Sequence, residues 1–187
     1  MLALDSEHWS LLRTAYGNGG AVAQWLARLA GELDQAHKHW EEFDHYGYLC
    51  HQETVYTASY AAVPHLVELV RKLPPADRHR LGIGILYFVG EVAGCSARDG
   101  VWLSGYTPQR FQAAPIPDDL LADYRAALAQ ADELIAKSIK QADREDLLAA
   151  LFAAKAAVRG YHALWEYLSM INNERECPKC GAFVPPM

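Results

Sequence analysis

Two cysteines near the end of the chain, in Cys177-Pro178-Lys179-Cys180-Gly181, have the spacing of a zinc knuckle. In such a knuckle a tight turn points both sulfurs at one ion, and backbone amides stabilise the thiolates. A structural zinc ion takes four ligands, whereas the sequence contains no second C-x-x-C or H-x-x-C pair. We therefore predict that Cys177 and Cys180 are metal ligands, with zinc as the cofactor, within a larger ligand set.

Three residues far from the knuckle supply the ligand types that it lacks. These residues are Cys50, His51 and Cys95, and they complete the set only if the tail folds back onto the rest of the chain. Otherwise the missing ligands come from a second chain, as in a dimer that shares one ion, or from residues beyond 187. A metal-free knuckle is the remaining alternative, since a redox-active C-x-x-C motif normally begins a helix.

The segment Cys50-His51-Gln52-Glu53 also contains the residue types of a nucleophile and its base. A cysteine–histidine pair needs neighbours in space and an oxyanion site, and adjacent side chains on one backbone usually point apart. The metalloprotease spacing H-E-x-x-H does not occur in the sequence. We therefore predict no catalytic residue and interpret the segment as a packing junction between helices.

Glu91 is the one charged residue of the apolar segment LGIGILYFVGEVAG, at 81 to 94. A buried carboxylate must be paired or neutralised. We interpret Glu91 as a structural hydrogen-bonding group of a central helix. The alternative makes it the acidic residue of an active site.

The charge of the chain limits its partners. Seventeen basic and 23 acidic residues give a net charge of -6, and the basic clusters Arg71-Lys72 and Arg78-His79-Arg80 are short. Nucleic-acid binding is disfavoured, because phosphate neutralisation by a basic face supplies most of its affinity. A basic protein is the more natural charged partner.

The first residues, MLALDSEHWSLL, do not resemble a signal peptide, and no uncharged apolar run approaches the ~20 residues of a membrane span. Four cysteines, two of them in a C-x-x-C pair, fit a reducing compartment better than a disulfide framework. We predict a cytoplasmic protein that does not enter a membrane.

Apolar spacing predicts a succession of helices that would position these residues. Pro64 suits the first turn of a helix better than its interior, so we expect a kink or restart near Ala61. We expect the remaining helices over the following stretches: Asp5 to Tyr16, 21 to 33, Thr54 to Tyr60, Ala61 to Leu73, Asp77 to Gly94, Asp118 to about 142, Arg144 to Arg159, and 161 to 171.

Residues 95 to 117 show no clear periodicity, and loops longer than ~12–15 residues in compact domains are usually functional or disordered. This stretch contains Trp102, Tyr106 and Arg110, and Trp, Tyr and Arg dominate recognition hot spots. We predict these three residues as a partner-binding group. Covering the helical core is the alternative role.

Successive helical hairpins of this length predict an all-α fold in which antiparallel hairpins stack as a short α-solenoid. The prediction depends on layout, since no tight internal repeat is visible. We assign residues 1 to 172 to the helical domain and residues 173 to 187 to a tail that contains the knuckle.

Residues 49 to 70 resemble a group of bacterial HEAT-like repeat proteins. The resemblance lies in His51-Gln52-Glu53-Thr54-Val55-Tyr56, then Ala58-Ser59, then Ala62-Val63-Pro64-His65-Leu66, with Glu53 where glycine is expected. It covers about one repeat and implies a HEAT-like scaffold that binds another protein. Some members look like immunity proteins, so the implied partner is a cognate toxin, and no catalytic residue is carried over.

The alternative from another class is a helical-repeat enzyme or nucleic-acid-binding protein, similar to DNA glycosylases, that uses a concave groove. It would need a basic groove with an acidic catalytic residue such as Glu91 inside it.

Overall fold

The computed structural model describes residues 1–51, 54–102, 117–172, 175–176 and 183–184, of which 51, 54, 97–102, 170–172, 175–176 and 183–184 are described by their backbone alone. This part of the chain is mostly helical, which confirms the all-α prediction. The helices are α1 (Gly20–Gly31), α2 (Ala36–Glu42), α3 (His45–Leu49), α4 (Thr57–Lys72), α5 (Pro75–Asp77), α6 (Ile83–Trp102), α7 (Asp118–Ile139), α8 (Glu145–Val158) and α9 (His162–Asn172).

Short antiparallel hairpins of two residues a strand complete the described structure, and none forms a central sheet. The strand pairs are β1 (Arg13–Thr14) with β2 (Gly17–Asn18), β3 (Cys50–His51) with β4 (Thr54–Val55), and β5 (Arg175–Glu176) with β6 (Phe183–Val184).

The first predicted helix, Asp5 to Tyr16, is present only as a short helical turn at its start. The Ser6 side chain caps a short 3-10 helix, Glu7–Leu11, as expected from the sequence, but the chain then enters the β1–β2 hairpin. Contacts far along the chain cause the change, because the Arg13 N–H donates to Thr57 Oγ1 at 2.7 Å. Gly17, the first residue of β2 after the turn, has a φ of 143°, which an L side chain would resist.

The predicted restart near Ala61 is also wrong, since α4 runs without a break from Thr57 and includes Pro64 in its interior. The first eight residues of α4 are all buried. A proline costs a helix interior about 3 kcal/mol. Burial on every side of the helix outweighs that cost, because each large apolar side chain contributes about 1.5–3 kcal/mol.

Helix α6 extends well past Gly94, the end predicted from the sequence, and continues to Trp102. The first part of the predicted 95 to 117 loop is therefore helical. A π-helical turn, Arg78–Gly82, joins α5 to α6, so the predicted start near Asp77 is close to the observed one.

The last three predicted helices are confirmed as α7, α8 and α9. Gly160, at a φ of 78°, makes the turn between α8 and α9. Helix α4 packs against α7, and α6 packs against α8, so each member of one helix pair contacts a member of the next pair.

Close approach of α6 to its neighbours depends on two glycines. A Cβ at Gly90 would lie 2.5 Å from the Ala154 Cα of α8, and one at Gly94 would overlap the Trp165 ring of α9. We call these four residues the glycine seam. It holds α6, α8 and α9 together as one packed unit.

A cluster of aromatic side chains fills the core where α1, α2 and α3 meet α6. The Trp25 ring stacks on Phe43 with centroids 4.5 Å apart, and His45 lies between Trp40 and Phe88. Burial lowers the pKa of His45, so this histidine is a neutral core residue at physiological pH. In the part of the chain that is described, no helix is both long and apolar enough to cross a membrane.

Candidate functional site

Two of the predicted ligand residues, Cys50 and Cys95, meet in the interior. Their Sγ atoms lie 3.5 Å apart although the residues are 45 positions apart in sequence. Both side chains are buried, with 8% of Cys50 and 1% of Cys95 exposed. Neither cysteine is in a disulfide, so the two form a pair of thiols in van der Waals contact.

The junction before α4 fixes the position of Cys50. Cys50 pairs with Val55 in the β3–β4 hairpin, and Ser59 Oγ in the first turn of α4 donates to the Leu49 carbonyl at 2.5 Å. The Tyr56 N–H donates in turn to Ser59 Oγ at 3.2 Å. The described part of this segment packs against α6 and places one thiol at the flank of that helix.

Glu91 and two tyrosines lie beside the thiol pair. The Tyr87 hydroxyl donates a hydrogen bond to the Glu91 carboxylate one turn further along α6. Burial raises the pKa of Tyr87, and the charge of Glu91 raises it further. Burial and the same carboxylate raise the pKa of Tyr46, a residue that is 41% exposed overall. Both phenols are therefore protonated at neutral pH.

A second phenol pair closes the cluster on the α7 side. Ser96 Oγ donates to the Val92 carbonyl at 2.6 Å and lies 3.3 Å from the Tyr124 hydroxyl. Burial raises the pKa of Tyr124, whose ring packs edge-on against Tyr60. The surroundings of the thiols are thus aromatic and hydroxyl-rich.

Two thiols would supply at most two of the four ligands that a structural zinc ion takes. Among the described residues, no group of three or more histidine, cysteine, aspartate or glutamate side chains is placed to hold a metal ion. The predicted ligands Cys177 and Cys180, and the His51 side chain, lie outside that description. Zinc binding stays a prediction, which metal analysis of the protein and of a Cys177→Ser variant tests.

The predicted partner-binding residues Trp102, Tyr106 and Arg110 also lie outside the described side chains. The described surface that could serve this role is elsewhere. An open groove of about 590 Å³ runs between α8 and α9, and we call it the apolar groove. Its lining residues are Glu145, Leu148, Ala149, Phe152, Lys155, Ala156, Arg159, Tyr161, Leu164 and Leu168.

Large apolar side chains stay in contact with solvent along this groove. The exposed fractions are 49% for Phe152, 59% for Tyr161 and 48% for Leu164, and the neighbouring Tyr167 of α9 is 58% exposed. The sequence contains a signal for this surface that the apolar spacing alone missed. The stretch LLAALFAAKAAV in α8 is apolar nearly all round, although a helix at a surface normally buries one face only.

A shared carboxylate orders the charged rim of the apolar groove. Asp132 of α7 accepts from Lys155 at 2.6 Å and from Arg159 at 2.9 Å, both on the α8 side. The Arg159 hydrogen bond, with a further contribution from Lys155, lowers the pKa of Asp132. Both cations are therefore held in place by one anion at the groove edge.

Cationic side chains gather in a smaller cleft of about 280 Å³ between α4, α6 and α7, among them Arg71, Arg78 and Lys137. Arg78 donates to the carbonyls of Leu73 and Arg71, which ends α4. The cleft lies at Ile83, and Glu91 is eight residues further along α6, or about 12 Å along its axis. This cationic cleft is therefore not the basic groove around Glu91 that a glycosylase-like protein would need.

Comparison with family models, with curated proteins and with solved structures finds no match to this chain.

Proposed function

We propose that the protein is a non-enzymatic helical scaffold that binds another protein in the apolar groove between α8 and α9. The observation that carries the proposal is the exposure of Phe152, Tyr161 and Leu164 along one continuous surface. Isolated exposed apolar residues are normal, whereas a contiguous group marks an interaction site. Phe and Tyr supply large contact areas with few torsions to freeze on binding.

The stacked arrangement of the helices supports a scaffold role. Contacts of α4 with α7 and of α6 with α8 are those expected where successive hairpins lie side by side, as in a short HEAT-like solenoid. In such an array the last hairpin has no following hairpin to cover its apolar face. Among the described helices, only α9 follows the α7–α8 pair, and the apolar groove lies where α9 meets α8.

Charge favours a basic partner over a second copy of the chain. Each copy has a net charge of -6, so two copies repel each other, whereas a basic protein is attracted. Glu145 lies on the rim, and Asp132 already compensates the two rim cations. The partner segment that fits is an amphipathic helix with an apolar face and flanking lysines or arginines.

The biological role that fits such binding is neutralisation of a toxin, in line with the resemblance to immunity proteins. The partner would then be a basic protein whose active surface is covered when its apolar segment occupies the groove.

Photo-crosslinking from the groove tests the binding site. A benzophenone amino acid replaces Phe152 or Leu164, with Leu11, which is 75% exposed outside the groove, as the matched control position. We expect one discrete crosslinked protein from the groove positions and none from position 11. Mass spectrometry identifies that protein, which is then purified for titration calorimetry against the unlabelled chain.

The calorimetry decides the outcome. Phe152→Glu should weaken binding about tenfold or more, because a charge then replaces an aromatic side chain that the bound partner would cover. Leu11→Glu should leave the affinity unchanged, and higher salt should weaken binding of the unsubstituted protein. Crosslinks to a second copy, or equal affinity for the two variants, would refute the groove proposal.

The toxin role has its own readout. The identified partner, expressed alone, should stop growth of the host cells, and co-expression of the unsubstituted chain, but not of Phe152→Glu, should restore it. A partner that binds the groove yet does not affect growth would refute neutralisation and leave the binding site established.

A further inference from the structure

The thiols of Cys50 and Cys95 are in direct contact in the interior of the protein. Their Sγ atoms are 3.5 Å apart, and the sulfurs of a disulfide are about 2.05 Å apart. A side-chain adjustment of roughly 1.5 Å closes the gap. The two residues come from separate elements, Cys50 from β3 and Cys95 from the middle of α6.

The structure around the pair holds both residues in this relation. Cys50 is fixed by its pairing with Val55 and by the Ser59 hydrogen bond to Leu49. Cys95 follows Gly94, whose close contact with Trp165 fixes the neighbouring turn of α6. Thiols that are held together in this way have a high effective concentration with respect to each other.

We propose that Cys50 and Cys95 are a peroxide-sensitive pair that forms an intramolecular disulfide. Cys50, the more exposed of the two, loses its thiol proton and attacks one oxygen of hydrogen peroxide. The O–O bond breaks, Cys50 becomes a sulfenic acid, and the departing hydroxide takes up the proton and leaves as water. The Cys95 thiol then attacks the sulfenic sulfur, the S–O bond breaks, and water leaves. The balance is two thiols and one peroxide giving one disulfide and two waters, so the thiols are oxidised and the peroxide is reduced.

The low exposure of Cys50 favours a small oxidant. Only 8% of Cys50 is exposed, so a bulky disulfide such as a glutathione dimer has little access to its sulfur. Hydrogen peroxide is close to water in size. The disulfide would join the β3–β4 hairpin covalently to α6 and close a long loop, which restricts the unfolded chain.

The test uses the full chain with Cys177→Ser and Cys180→Ser, because the tail cysteines could otherwise form their own disulfide. After peroxide treatment we expect the intact mass to fall by two hydrogens, and peptide mapping should find Cys50 joined to Cys95. The melting temperature should rise by roughly 5–15 °C and return to its starting value on reduction.

Single-cysteine variants distinguish the thiol that attacks peroxide, Cys50, from the thiol that attacks the sulfenic acid, Cys95. In Cys95→Ala, a sulfenic acid should accumulate on Cys50 and react with dimedone, whereas Cys50→Ala should show neither the adduct nor the mass loss. The mapping on the unsubstituted pair does not depend on the folding of either variant. Two thiols that stay open to alkylation after peroxide treatment, disulfides between chains, or a stoichiometric zinc ion lost in Cys50→Ala would each overturn the proposal.

Discussion

Two sides of α8 both carry apolar residues, yet one is buried and the other is half exposed. On one side Ala154 meets Gly90 of α6 so closely that no Cβ fits between the helices. On the other side Phe152 stays 49% exposed beside the apolar groove. The glycine seam is closed because small residues let two backbones approach, whereas large apolar side chains line the open groove beside the α8–α9 contact. Hydrophobicity alone therefore does not decide which face of a helix is buried.

The largest effect is expected at the α9 end of the glycine seam. Trp165 is 5% exposed and its ring contacts Gly94, so Trp165→Ala should lower the free energy of unfolding by roughly 3–5 kcal/mol. Tyr167→Ala, on the exposed face of the same helix, should change it by less than about 0.5 kcal/mol. Urea denaturation measures both. Equal losses of unfolding free energy for the two variants would contradict a buried Trp165 face and an exposed Tyr167 face on α9.

The middle of the glycine seam should respond to a single methyl group. Gly90→Ala places a Cβ against the Ala154 backbone and should cost about 1–3 kcal/mol. At Gly84, in the same helix, an added Cβ would have no heavy atom of another element within 4 Å, so Gly84→Ala should gain about 0.5–1 kcal/mol from higher helix propensity. Opposite signs in thermal and urea denaturation are the expected result, and a stabilising Gly90→Ala would contradict the close contact.

The rim of the apolar groove should contribute a smaller amount that depends on pH. Asp132→Asn removes the anion that binds Lys155 and Arg159 and should cost about 1 kcal/mol at neutral pH, since solvent screens part of the interaction. The pKa of Asp132 is lowered in the folded protein. Its contribution is therefore complete above the ordinary carboxyl value of about 3.9, and it is lost as pH falls through the folded value.

Urea denaturation as a function of pH checks this sign. The difference between the unsubstituted protein and Asp132→Asn should persist from pH 7 to about pH 4 and vanish in stronger acid. Asp146→Asn is the matched control, because the Arg144–Asp146 pair is exposed and should contribute nothing measurable. A difference that grows in acid would contradict the assigned ion pairs.

The smallest effect on stability is expected in the apolar groove itself. Phe152→Ser should change the free energy of unfolding by less than about 0.5 kcal/mol, because half of the side chain is in water already. The same variant should reduce the fluorescence of an apolar dye bound to the folded protein. A stability loss near that of a core residue, with unchanged dye binding, would mean that the groove is part of the core.

The sequence was sufficient to predict the helices whose apolar spacing is local. Helices α1, α7, α8 and α9 follow from spacing, capping and glycine alone. Pro64 misled the prediction, because its cost is local whereas the burial that outweighs it comes from other helices. The β1–β2 hairpin was missed for the same reason, since its hydrogen bond to Thr57 joins residues 44 positions apart.

The two candidate sites were also predictable only where local sequence is sufficient. Cys50 and Cys95 could be selected as reactive residue types, and their contact depends on how β3 packs against α6, which no sequence spacing encodes. The apolar groove was not predicted, because apolar residues in α8 are typical of a buried helix. Only the packing shows that α6, α7 and α9 bury most of α8 and leave Phe152 half exposed beside the groove.

The glycine seam has a consequence for the entropy of folding. Glycine and alanine have no side-chain torsions to immobilise, so the α6–α8 contact forms without the rotamer loss that Leu or Met pairs incur. Its strength comes from dispersion between backbones at short range. Such a contact tolerates almost no variation in size.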